Sequence, residues 1–152
     1  MLTAKDIMTT KVITVNPDMP VEGLATILWN SKISGAPVVD AEGTVIGIVT
    51  ENDLIDQTKR IHIPTMISFL DSVIMLESGA KVEKELSKMT GTTVGDICSK
   101  KVISINEDAP LDEIASIMSE KGVHTIPVFR GKELVGIVGK NDIIKTLAKK
   151  AD

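Results

Sequence analysis

Aromatic side chains are almost missing from this chain. Among 152 residues there is no tyrosine, and Phe69, Phe129 and Trp29 are the whole complement. Proteins that stack single-stranded bases need aromatic platforms, so that class is excluded. Basic runs are missing as well: the net charge is −4, the pI is near 5.2, and no general nucleic-acid binder is expected. The single cysteine, Cys98, leaves no internal disulfide and fits a reducing cytoplasm. Met1 to Asp6 carries an acid where a signal peptide needs an apolar run. The most apolar window, Ile61 to Leu76, is short for a membrane span and contains His62 and Asp71. A soluble, cytoplasmic protein without a membrane partner is the expectation. Two distant histidines and one cysteine offer no metal-ligand spacing, and no Gly-Lys-Ser/Thr phosphate loop occurs. No nucleophile–base pair or paired-acid spacing emerges either, so an enzyme is not expected.

What is present is an internal repeat. Asp6 to Asp40 aligns with Asp96 to Arg130, and Val45 to Ile55 aligns with Leu134 to Ile144 after a one-residue deletion. Eighteen of these 46 pairs are identical, which chance does not explain. Each copy reads alike. A short helical lead-in (Ala4 to Met8; Val94 to Cys98) precedes a strand, Val12 to Val15 or Val102 to Ile105. A helix follows, with Asp18 or Asp108 as N-cap and Pro20 or Pro110 in its first turn. Val21, Leu24, Ala25, Ile27 and Leu28 share one face of it, matched by Leu111, Ile114, Ala115, Ile117 and Met118. A hairpin comes next, its first strand opened by Pro37 or Pro127, and a last helix starts near Glu51 or Lys140. Neither copy buries much surface alone, so the two are expected to pack face to face.

The stretch from Thr58 to Thr93 is too apolar for a solvated spacer, with a mixed-charge helix expected over Ala80 to Met89. It either covers an edge of its own fold or forms a subunit interface.

The chemistry concentrates at Ile46-Gly47-Ile48-Val49-Thr50-Glu51-Asn52-Asp53 and at its counterpart, Val135 to Asp142. A buried strand there runs into a helix, presenting free N–H groups and a carboxylate. A carboxylate accepts two hydrogen bonds from a cis-diol, a helix N-terminus favours phosphate, and an aliphatic crevice holds a purine. Thr50 as N-cap with Asp53 three residues on is equally a capping arrangement, and the two roles can coexist.

Each copy resembles a CBS domain. The hallmarks are Asp6-Ile7-Met8, Gly35-Ala36-Pro37-Val38-Val39-Asp40 and Gly47 to Asp53. The tandem pair is similar to a Bateman module. The implied fold is α/β (α+β): two CBS repeats, each strand-helix-strand-strand-helix, packed face to face with pseudo-two-fold symmetry, plus a partly helical apolar insert. The expected boundaries are 1–57, 58–91 and 92–150. The resemblance implies an adenosyl ligand (AMP, ADP, ATP or S-adenosylmethionine) held between the repeats and a homodimer. It assigns one site to Asp53 for the ribose and Thr50 for phosphate, flanked by Ile48 and Asn52. Val102, Ile103, Val123, Ile126 and Pro127 would surround the base, and His124 would face the phosphates. The other site would use Asp142 with Val12, Ile13, Ile33 and Ala36. Gly139 stands there in place of the threonine and Ser34 in place of His124, with Lys140 as a compensating charge. By its residues alone, His124 is equally a plain interior or surface histidine.

The function implied is a regulatory module that senses the adenosyl compound and transmits a shape change to a regulated protein. The alternative is a ligand-free dimerisation scaffold.

Overall fold

The computed structural model describes residues 1–61 and 91–151. Most of the apolar insert, with His62 and the helix expected over 80–89, lies outside the described residues; its first residues, 58–61, continue the helix that begins at Glu51. In chain order the elements are α1 (Ala4–Ile7), α2 (Val21–Ser31), β1 (Gly35–Val39), β2 (Val45–Thr50), α3 (Glu51–Ile61), α4 (Val94–Ile97), β3 (Ile105–Asn106), α5 (Leu111–Lys121), β4 (Thr125–Arg130), β5 (Glu133–Gly139) and α6 (Lys140–Ala151). The two hairpins, β1–β2 and β4–β5, are antiparallel, and each carries an irregularity at the same place, after Val38 and after Val128.

The first strand of each copy is far shorter than its sequence reads. Val12 to Val15 shrinks to one parallel bridge, Val15 to Val38, and Val102 to Ile105 to the two-residue β3 beside β4. Proline sets both limits. Val15 N–H donates to Pro37 O (3.0 Å) and Val15 O accepts from Val39 N–H (2.8 Å). The next carbonyl back, Ile13 O, would need an N–H from Pro37, which has none; Pro127 stops Ile103 in the same way. Forward, Glu107 N–H donates to Phe129 O (3.1 Å), while its counterpart Pro17 cannot, so only the second copy has a true strand. Pro37 and Pro127 are the third residues of β1 and β4 rather than their openers.

Helices α2 and α5 also start later than expected. Their N-caps are Pro20 and Pro110, not Asp18 and Asp108. Asn16 and Asn106 use their side-chain oxygens to accept from the Asp18 and Asp108 N–H groups, making turns instead. The first helical N–H groups are satisfied by distant chain: Val21 donates to Thr92 O (3.1 Å) and Leu111 to Leu2 O (3.0 Å). Leu24, Leu28, Ile114 and Met118 are buried as their spacing requires, whereas Ala25 and Ala115 face solvent.

The repeats exchange their lead-ins. Ala4 is wholly buried with Ile105, Ile114, Ile126, Val128 and Val138 of the second copy, and Ile7 and Met8 pack there too. Val94, Ile97 and Cys98 reciprocally join Val15, Leu24, Val38 and Val49 of the first. Backbone pairs Thr9–Ile137 and Ile48–Ser99 fasten the exchange. The strand glycines make room for it. A Cβ on Gly47 would lie 2.9 Å from Ser99 O and 3.0 Å from Cys98 Sγ, and one on Gly136 would collide with Met8. Burial pushes the Cys98 thiol pKa up, in keeping with a packing role.

Both lead-in helices are held by an aspartate in the first turn. Thr3 N–H donates to Asp6 Oδ2 (2.8 Å) and Thr93 N–H to Asp96 Oδ2 (2.9 Å). These bonds, with the threonine hydroxyls adding to them, hold both carboxyls below their ordinary values. A depressed folded-state pKa contributes stability above the unfolded-state value and loses it as pH falls through the folded one. Stability is therefore expected to decline below about pH 4. The double variant Asp6→Asn, Asp96→Asn should show a shallower decline in urea titrations between pH 5 and 2. Parallel curves for the two proteins would remove these carboxyls as the cause.

Candidate functional site

Two clefts open between the repeats, on either side of the seam where β1 meets β4. The first, about 510 Å³, is lined by Ile48, Thr50, Asn52 and Asp53 from one repeat and by Ile103, Val123 and His124 from the other. The second, about 440 Å³, is lined by Asp142, Lys140, Gly139 and Ile137 across from Ile13, Ile33, Trp29 and Lys32. Ser34, Glu51 and Thr125 border both.

Each carboxylate is placed by the start of its helix. Asp53 Oδ2 accepts from Thr50 N–H (2.8 Å) and from Thr50 Oγ1 (3.3 Å). Asp142 Oδ2 accepts from Gly139 N–H (2.8 Å), and its Oδ1 accepts from Thr9 Oγ1 (3.3 Å). The capping role is thus real, and it fixes two carboxylates whose residues line the cavities. The same cap operates at Asp6 and Asp96, where neither cavity reaches. Cap chemistry alone therefore does not set Asp53 and Asp142 apart; their place opposite the other repeat does.

The seam is tight. Ser34 Oγ and Thr125 Oγ1 lie 3.0 Å apart and share a hydrogen bond across the repeats. Thr125 is the one buried polar side chain among the described residues. A Cβ on Gly35 would sit 2.9 Å from Val49 O and 3.0 Å from Thr125 Oγ1. Glu51 N–H donates to Ser34 O (2.8 Å) and Lys140 N–H to His124 O (3.1 Å), so the first residue of each last helix is tied to a residue that borders a cleft.

Several residues assigned from the resemblance lie elsewhere. Ala36, Ile126 and Pro127 are buried in the two cores, and Val12 and Val102 border neither cleft. Strand alternation explains the first pair: Gly35 and Thr125 point to the seam, so Ala36 and Ile126 point away. The structure also brings in cations that spacing did not single out. Lys101 and Lys121 border the Asp53 cleft; Lys11 and Lys32 border the Asp142 cleft. Lys11 and Lys101 are equivalent through the repeat, but nothing local distinguishes them from other exposed lysines.

Comparison with known proteins agrees with this architecture. The family model described as CBS domain matches residues 4–59 and 94–149. An uncharacterized protein of Methanocaldococcus jannaschii is 28% identical over 153 residues, covering 94% of this chain and 89% of that one. A second from the same organism is 31% identical over 142 residues, covering 93% of this chain but 31% of its own length. Among solved structures, the CBS domain pair of protein MJ0100 in complex with 5′-methylthioadenosine and S-adenosyl-L-methionine superposes with a TM-score of 0.70 at 24% identity, covering 99% of this chain and 98% of that one. CBSX2 in complex with AMP does so with a TM-score of 0.72 at 21% identity, covering 100% of both chains.

Proposed function

The chain belongs to the CBS-domain family, as a tandem pair, and on that premise we propose that it is a regulatory module holding AMP, ADP, ATP or S-adenosylmethionine in the clefts between its repeats. One observation carries this reading: Asp53, fixed at the mouth of α3, lines the same cavity as Ile103 and Val123 of the other repeat. A carboxylate for a ribose diol thereby sits beside an aliphatic slot for a base. The compounds held by the MJ0100 and CBSX2 pairs, adenosyl compounds all, fit that chemistry. Ligand bound in the seam favours one packing of the halves over another, and a regulated protein reads the difference. The role is regulatory rather than catalytic, in a reducing, cytoplasmic setting that suits one unpaired cysteine.

Thermal unfolding against AMP, ADP, ATP and S-adenosylmethionine tests the proposal. A true ligand at about 100 times its Kd adds about 2.7 kcal/mol. Asp53→Ala is expected to remove most of that gain. Asp53→Asn, whose amide oxygen can still cap Thr50, separates loss of ligand from loss of the cap. No shift with any of the four compounds sinks the reading.

A second reading, a dimerisation scaffold, has its own observation. Ile55 on α3 and Ile144 and Leu147 on α6 are more than half exposed, at 63%, 58% and 57%. Apolar side chains of this kind fit a homodimer face. A monomeric mass by light scattering at working concentration rules it out.

A further inference from the structure

Resting on the adenosyl reading above, we infer that the two clefts take ligands of different charge: the Asp142 cleft a polyphosphate, the Asp53 cleft a less anionic compound. Charge is the first reason. Three lysines, Lys11, Lys32 and Lys140, face two carboxylates, Glu51 and Asp142, at the Asp142 cleft. At the other, two lysines, Lys101 and Lys121, face Glu51 and Asp53, with His124 beside them.

Backbone strain is the second. Lys32, just past α2, holds the left-handed conformation (φ 54°, ψ 44°). The second repeat fills that place with Gly122 (φ 65°), which adopts it freely. Lys32 is the one non-glycine residue with positive φ among the described residues. The end of α2 sets this conformation, with the Lys32 N–H closing on Leu28 O, so a lysine is kept there at a cost that a glycine would avoid, and this lysine borders the Asp142 cleft.

Room is the third. Gly139 replaces Thr50, and a Cβ built on it would meet nothing nearer than Asp142 Oδ2 and His124 O, both at 3.8 Å. The space that a threonine side chain occupies in the Asp53 cleft is open here, beside Lys140.

Trp29 is the sole tryptophan and borders the Asp142 cleft but not the other, so a ligand seated against it there changes its emission. The full-length protein is titrated at low salt with AMP, ATP and inorganic tripolyphosphate, followed by Trp29 emission and by calorimetry. ATP is expected to bind the Trp29 cleft about tenfold more tightly than AMP, the equivalent of one or two partly screened ion pairs. Lys32→Gly should erase most of that preference while the variant unfolds at or above the wild-type temperature, since it relieves the left-handed lysine. Equal ATP and AMP affinities at Trp29, or a preference unchanged in Lys32→Gly, overturns the inference. Calorimetric binding that is lost in Asp53→Asn and never moves Trp29 emission overturns it too, but leaves the adenosyl reading standing. Tripolyphosphate binding as tightly as ATP supports a cleft that reads phosphate charge, while no binding of any adenosyl compound at either cleft removes the adenosyl reading and this inference with it.

Discussion

A chain shortened by its first nine residues is expected to lose about 4–6 kcal/mol of stability, and to lose it from the second repeat rather than the first. Ala4, Ile7 and Met8 all pack into the second core. Ala4 is buried while Ile7 and Met8 are half-buried, so these two each contribute about half of the roughly 1.5–3 kcal/mol of a fully buried Ile or Met, and each backbone bond about 0.5–1.5 kcal/mol. Among the bonds lost are Leu111 N–H to Leu2 O, Ile137 N–H to Thr9 O, and Thr9 N–H to Ile137 O. Domains of this size hold about 5–15 kcal/mol in total, so the shortened chain would be marginal. Hydrogen exchange locates the damage: amides of β4 and β5 should lose protection before those of β1 and β2. Equal loss in both hairpins, or a change under about 1 kcal/mol, contradicts an exchanged lead-in.

Gly47→Val is expected to cost about 3 kcal/mol, at the upper end for forcing atoms into a packed core. What the new side chain meets is decisive. At Gly47 the nearest atom is a backbone carbonyl, Ser99 O, in the segment exchanged from the second lead-in, and Cys98 Sγ is close behind. Ser99 is pinned on both sides of its backbone, so its carbonyl cannot swing aside: Ile48 N–H donates to Ser99 O and Ser99 N–H to Ile48 O, both at 2.9 Å. Gly136 offers the internal comparison, because its nearest neighbour is the flexible Met8 side chain. Gly136→Val should therefore be the milder change in urea unfolding. A Gly47→Val midpoint within experimental error of wild type would show that the exchanged segment is loosely held.

Much of this was legible in the linear order of residues. The repeat, the core positions of α2 and α5 other than Ala25 and Ala115, both hairpins, and the starts of α3 and α6 near Glu51 and Lys140 follow from short-range rules. Helix faces recur every three to four residues, turns need Gly or Asn, and a first-turn aspartate caps. The same rules misplace what depends on distant chain. The starts of α2 and α5 moved because their N–H groups are satisfied by Thr92 and Leu2. The first strands shortened because Pro37 and Pro127 lie opposite Ile13 and Ile103, a register visible only once the strands pair.

The sequence by itself determined that two like halves exist and that each carries an acid at a helix start. Cap chemistry does not tell the four acids apart, because Asp6, Asp53, Asp96 and Asp142 make the same bond to a backbone N–H three residues earlier; the resemblance alone pointed to Asp53 and Asp142. Only the tertiary structure set Asp53 and Asp142 against the opposite repeat, exchanged the lead-ins, and gathered lysines from separate elements around each cleft. The physical reason is range: a cap closes within one helical turn and is written locally, whereas a cleft is the space left between surfaces that meet only after the whole chain has packed.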